Sequence, residues 1–250
     1  MNPSHWKDYT APAGLLEGRV IMITGTTRGI GRALALGAAR LGATVLLHGR
    51  NRRALEELHD EVAQLGPEPA IAQLDFERAQ GPEYQHLIEQ IESRYGRLDG
   101  LVHNASMLGD RSPIEHYDIG TWQRVIHVNV NSVFILTRCL LPLLKASEDS
   151  SLIFTTSGVG NKGKAFWGAY SVSKFAIEGL SQILADELDR TSVRVNSINP
   201  GATRTRMRAQ AYPAEDPETV TPPEEVLAPY FFLLGAHGKG THGQRIDCQG

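Results

Sequence analysis

Tyr170 and Lys174 lie four residues apart in GAYSVSKFA, residues 168–176. On a helix, side chains at that spacing share one face a turn apart. A phenol with its ordinary pKa near 10 is a poor proton donor or acceptor at neutral pH. A neighbouring ammonium favours the phenolate and should draw that pKa toward the working range. Ser157, thirteen residues before Tyr170, closes the apolar run LIFTTS. At the end of a strand its hydroxyl can bond a substrate oxygen beside the phenol. Each feature also has a plainer reading, a surface helix pair for the first and a turn serine for the second. Taken together they suit proton transfer at a substrate oxygen.

Such a trio needs a scaffold. Short β-rich runs are expected at 19–24, 43–48, 69–74, 98–103, 151–156, 192–198 and 244–248. Several are continuously apolar (VIMI, TVLL, SLIF), as strands covered on both faces should be. Between them, 51–65 and 82–96 have helical periodicity, and Gly42, Gly66 and Gly96 follow helical segments. Regular alternation of strand and helix implies an α/β fold, a single Rossmann-type doubly wound parallel sheet of about seven strands with helices on both faces. Without a linker-like composition shift, residues 1–250 are read as one domain. Residues 201–224, rich in Pro, Ala, Thr and charge, are expected to form a lid-like excursion.

TGTTRGIG, residues 24–31, follows the first expected strand and opens the first helix. Glycines there let the backbone approach a nucleotide pyrophosphate, which sits well at a helix N-terminus. An acid at the end of the second strand would select NAD through its ribose hydroxyls. The chain has Gly49, Arg50 and Asn51 instead. Arg50 can pair with a 2′-phosphate, and Arg28 in the glycine loop can supply a second cation. NADP(H) is therefore the expected cofactor, with NAD(H) as the lesser alternative.

Composition narrows the function class further. The 250 residues are 41% hydrophobic and 21% charged with net charge −3, which gives no long-range attraction to nucleic acid or an anionic membrane. The apolar stretch 132–144 contains Arg138 and Pro142 and is short for a bilayer span. The first residues lack the pattern of a signal peptide. Cys139 and Cys248 are too few for a disulfide framework or structural zinc, so a cytoplasmic protein without a metal is expected.

TGTTRGIG, HNAS (103–106), VNVNS (128–132), Ser157, YSVSK (170–174) and NPG followed by Thr205 resemble, in order and spacing, the short-chain dehydrogenase/reductase family. The likeness covers nearly the whole chain and is closest to the family's bacterial YciK-like branch. It implies that Tyr170 is the catalytic acid/base, that Lys174 lowers its pKa and holds the nicotinamide ribose, and that Ser157 orients the substrate carbonyl. Asn129 would maintain a water-linked proton relay to the lysine. Without the likeness, Asn129 is simply an irregularity in a helix. The cofactor would rest on Gly25, Thr27, Arg28, Gly29, Ile30, Gly31, Arg50, Asn51, Asp75, Asn104, Ala105, Ser106, Tyr170, Lys174, Pro200, Gly201, Thr203 and Thr205. Ser106 departs from the family, which usually has a glycine there.

The implied activity is NADP-dependent hydride transfer between nicotinamide and a small-molecule carbonyl or secondary alcohol. The alternative is an NADP-binding sensor or scaffold with little turnover. Pairing through helical faces into a homodimer or homotetramer is implied as well. The substrate pocket is expected from 106–116, 159–168 and 201–224, with Phe166 and Trp167 either stacking on substrate or packing internally. Lys162, Lys164, Arg204, Arg206 and Arg208 would surround its mouth, to attract an anionic substrate or to solvate a lid.

Overall fold

The strands are the apolar runs, and two-sided burial is the reason for their composition. In the computed structural model, which describes residues 6–249, β1 (Val20–Thr24) is buried along its whole length. Successive side chains point to opposite faces. Ile21 and Ile23 join a core with Leu34, Leu55 and Leu233, while Val20 and Met22 join the opposite core with Tyr84, Leu136 and Leu140.

β2 (Thr44–Gly49), β3 (Ala70–Gln73), β4 (Gly100–His103), β5 (Ser150–Thr155), β6 (Val193–Asn199) and β7 (Arg245–Asp247) complete one sheet of order β3-β2-β1-β4-β5-β6-β7, parallel throughout. The α/β doubly wound expectation holds, and each expected strand falls within two residues of its place. On one face pack α1 (Gly29–Arg40), α2 (Arg52–Ala63) and a late helix at Ala228–Leu234. The other carries α3 (Gly81–Tyr95), a long central helix and the helix holding Tyr170. The strand order reverses between β1 and β4, so a crevice opens beyond their carboxyl ends.

The central helix is longer than the apolar stretch 132–144 implied. α4 (Ile119–Ile126) continues through a π-helical turn, His127–Asn131, into α5 (Ser132–Lys145). By length and composition the 27-residue run resembles a membrane span, with mean hydropathy 1.4. Val133, Leu136, Leu140, Leu143 and Leu144 are nevertheless buried in the core, where α5 packs on β4 and β5.

α6 (Gly168–Leu188) places the YSVSK sequence in its first two turns, beside β5 and β6. Gly168 is required at its start, because a Cβ there would overlap the Tyr117 ring. The 201–224 stretch is an ordered excursion rather than a bare loop. Thr203 bridges Thr221, Arg204 N–H donates to the Thr221 carbonyl, and the short α7 (Arg206–Ala211) is capped by Thr205. The last helix, α8, spans Ala228–Leu234.

Candidate active site

The glycine turn after β1 is pinned before anything binds to it. The His48 carbonyl at the end of β2 accepts from the N–H groups of Gly25 and Thr26 and from the Thr26 hydroxyl. Across the strand reversal, Thr24 Oγ1 accepts from Asn104 and Ala105 N–H, and Asn104 Nδ2 donates to the Thr24 carbonyl at 3.0 Å. Gly25 has φ +73°, and a side chain there would meet the Ala105 backbone. A Cβ at Gly31 would overlap the Gly25 carbonyl oxygen and the Asn104 amide. Gly31 thus lets α1 pack against the turn and does not itself line the cleft.

The start of α1 is open to an anion. Arg28 is its N-cap residue, no side chain caps the first turn, and that turn carries no acid. Its unpaired N–H groups and dipole therefore favour negative charge. A cleft of about 670 Å³ runs from this turn past Arg50, Asp75 and Asn104 to Ser157, Tyr170 and Lys174. Of the residues expected at the cofactor, all line it except Gly31 and Asn51. Asn51 instead caps α2, its Oδ1 accepting from Ala54 N–H. A pyrophosphate-bearing dinucleotide fits such a cradle, since bare backbone, an uncapped helix start and a cation are what it needs.

The acid absent from the end of β2 has a counterpart that local sequence could not reveal. Glu77, after β3, reaches Arg50 at 3.4 Å and Arg124 at 3.9 Å. Arg28 makes no ion pair among the described residues.

At the other end of the cleft, Ser157 follows β5 with extended backbone (φ −162°, ψ 157°), and its Oγ accepts weakly from Val159 N–H at 3.4 Å. Tyr170 is 7% exposed and Lys174 4%. Lys174 Nζ donates to the Thr155 carbonyl at 2.8 Å and lies 5.5 Å from the centre of the Tyr170 ring. Burial sets both proton affinities. It pushes the Tyr170 phenol up to about 12, while the Ser157 hydroxyl beside it pulls the other way. It pushes Lys174 down to about 8 against the opposing charge of Glu178, one turn further along.

The expectation that the ammonium draws the phenol toward neutral pH is therefore corrected: desolvation prevails, and Tyr170 holds its proton. Lys174 itself surrenders charge more readily than an exposed lysine. A protonated phenol suits donation rather than abstraction.

Asn129 sits in the π turn, 2% exposed. Its Oδ1 accepts from Met107 N–H at 2.7 Å, and its Nδ2 donates to the Met107 carbonyl and to Ser173 Oγ. Both amide hydrogens are used, so the side chain fastens the 104–109 loop to α6. His48 and His103 are pushed down to about 3 by burial and stay neutral. His103 packs on Phe154 and bonds Thr137, as a core residue does.

The substrate end departs from expectation at Phe166. Trp167 lines the cleft, whereas Phe166, exposed with φ +68°, does not. Two of the five lid cations are neutralised and a third is hydrogen-bonded. Arg204 pairs with Glu218, Arg208 makes a two-pronged contact with Glu215, and Lys164 donates to the Tyr212 hydroxyl. Sequence reasoning did not single out Thr24, His48, Tyr212 or Arg111, although Thr24 opens the glycine turn and the pocket was expected from 106–116 and 201–224. The first two sit at strand ends beside the glycine turn, where position is a usable signal. Arg111 lies in irregular backbone that has no period to read.

A parallel sheet with an open helix start at its switch point and a buried Ser-Tyr-Lys group at the same edge defines a nucleotide-dependent α/β enzyme class. The family model for short chain dehydrogenase matches residues 19–216, and the chain belongs to that family. It is 44% identical over 242 residues to the oxidoreductase YciK of Escherichia coli (strain K12), covering 96% of each chain. It superposes with TM-score 0.95 on a short chain dehydrogenase from Pseudomonas syringae, at 52% identity over 97% of this chain and 99% of the other. A short chain dehydrogenase from Shigella flexneri complexed with NADP gives 0.93 at 44% identity, covering 96% and 100%.

Proposed function

We propose that the protein transfers hydride between NADP(H) and a carbonyl or secondary alcohol, with Tyr170 as proton donor and acceptor. The observation that carries this reading is the convergence of Ser157, Tyr170 and Lys174 at the end of the cleft that begins at the uncapped start of α1. The Shigella flexneri relative complexed with NADP supports the choice of cofactor.

Gly25, Thr27, Gly29, Ile30 and the first turn of α1 would hold the pyrophosphate, and Asn104 to Ser106 would face the central portion. Arg28 and Arg50 would take the 2′-phosphate, with Arg50 exchanging the Glu77 carboxylate for it. Asp75 would lie by the adenine; Pro200, Gly201, Thr203, Thr205 and Lys174 would face the nicotinamide end. When bound, the dinucleotide supplies or accepts the hydride.

In reduction, Ser157 Oγ and Tyr170 Oη hold the carbonyl oxygen, and Tyr170 gives up its proton as negative charge develops there. The Lys174 ammonium then stabilises the phenolate that remains. In oxidation the same phenolate must first be formed, which the buried site resists. Asn129 positions Met107 and Ser173, keeping the cleft wall against α6. Exposed Phe134, Val172, Phe175 and Ile183 on α5 and α6 support assembly with further copies of the chain.

The test is Tyr170→Phe, followed by NADPH oxidation in a single turnover with a reducible ketone. Loss of general acid help should slow the reaction by about 10²–10⁴-fold with the NADPH dissociation constant nearly unchanged. Reduction at the parent rate would remove Tyr170 from the chemistry.

A further inference from the structure

Two of the lid cations expected to attract an anion already hold carboxylates, whereas one arginine of the cleft wall near the reacting groups holds none among the described residues. Arg111, in the loop after β4, is half-buried and lines the cleft with Trp167 and Tyr170. Its guanidinium carbon lies 4.4 Å from the Trp167 ring centre and 5.1 Å from that of Tyr212. Nη1 donates to the Ala211 carbonyl, at the end of α7, at 2.6 Å. Nε is buried with no partner, and no carboxylate pairs with Arg111 among the described residues.

Two further polar atoms on the same wall, Trp167 Nε1 and Ser106 Oγ, are also buried without a partner. A half-buried cation and unpaired donors carry a desolvation cost that a structural role alone would have removed by pairing them. Packing on two aromatic rings fixes the plane of the guanidinium, while Nη2 makes no bond among the described residues and is not one of the buried atoms without a partner. A carboxylate is the ligand that a charged donor held in one orientation matches. The lid cations differ on each count: Arg206 and Lys162 are exposed to solvent, and Arg204 and Arg208 already hold carboxylates.

The separation from the chemistry is short. Trp167 and Tyr170 have ring centres 5.6 Å apart, so Arg111 stands one aromatic ring beyond the phenol. We propose that Arg111 is the specificity-determining residue of this site and takes the carboxylate of an oxo-acid substrate whose ketone or aldehyde oxygen is held by Ser157 and Tyr170. This rests on the oxidoreductase reading above. Because Arg111 also holds the end of α7, an arriving carboxylate would order the wall formed by Ala211 and Tyr212.

The experiment uses the NADPH-loaded protein for turnover and the NADP-loaded protein for calorimetric binding. The probes are a homologous series of straight-chain oxo acids and their methyl esters. For the best member, the acid should exceed its ester in both affinity and kcat/KM by about 10- to 100-fold, as expected for a charged hydrogen-bonded contact. Arg111→Met should erase that preference mainly through KM, with a far smaller loss on the ester, and Arg111→Lys should restore part of it.

Equal binding of acid and ester by the parent protein would overturn the proposal. So would equal losses on both probes in Arg111→Met, the mark of a residue that only braces the lid. Tyr170→Phe separates this from failure of the underlying reading: it should keep the acid-over-ester binding preference while losing turnover on both. If Tyr170→Phe turns over normally and the preference persists, the acid/base assignment fails and the anion site stands.

Discussion

Two basic regions border the same cleft, and the protein treats them in opposite ways. At the inner end Lys174 is 4% exposed and bonded to a backbone carbonyl, with no carboxylate in salt-bridge contact among the described residues. At the lid, Arg204 and Arg208 are partly solvated and paired with Glu218 and Glu215. Lid charges of this kind contribute little to stability and are easily exchanged. The inner charge is destabilising where it stands, which is the arrangement expected when a group is kept for chemistry rather than for the fold. The abundance of cations near a mouth is thus a poor guide to what they do; burial and pairing are better.

The largest expected effect that sharpens this contrast is at Lys174. Its pKa lies at about 8 in the folded protein against an ordinary 10.5. Below pH 8 the fold bears the full cost of a buried ammonium. Between those values the unfolded chain binds more protons, so stability rises with pH and the cost fades. Lys174→Met should cut reduction by about 10²-fold or more, in the range set by loss of proton-transfer help. At neutral pH it should also raise unfolding stability by about 1–2 kcal/mol, after the lost bond to Thr155 is allowed for. Urea midpoints should show that gain shrinking as pH rises from about 8 toward 10.5. A variant less stable than the parent at neutral pH would break the comparison. In the parent, reduction should fall as pH rises through about 8 and the ammonium is lost.

A smaller effect is expected at the far end, where Arg28 is unpaired and Arg50 shares Glu77. Replacing both arginines by Gln should weaken NADPH binding by about 10- to 100-fold, as for lost charged hydrogen bonds, and leave NADH nearly unchanged. Equal dissociation constants for the two cofactors in the parent would remove the preference. The smallest effect belongs to the lid: Arg204→Gln should leave the urea midpoint essentially where it was. A marked shift there would mean that exposed pairs matter as much as buried ones.

Much of this architecture was legible in the chain, for a physical reason. Strands buried on both faces must be continuously apolar, so 19–24 and 151–156 mark β1 and β5 almost to the residue. The glycine turn was readable because close backbone approach leaves few alternatives to glycine. Tyr170 and Lys174 were readable because helical spacing alone brings them together. What depends on contacts distant in sequence was not: Glu77 reaching Arg50, Arg111 between Trp167 and Tyr212, or desolvation overruling the lysine at the phenol. Gly66 shows a subtler limit. Unlike Gly42 and Gly96 it needs no left-handed backbone; a Cβ there would strike the Ala39 carbonyl.

The π turn at His127–Asn131 has a consequence for how this helix could change. A wider turn behaves as one amino acid more than a regular spiral would use, and it shifts the phase of everything on one side of it. Excising a single position there would mend the ladder of the helix and swing Asn129 about 100° around the axis, away from Met107 and Ser173. The neater helix would belong to an enzyme whose cleft wall had come unfastened, so here a flaw in regularity is what keeps two distant stretches of chain in step.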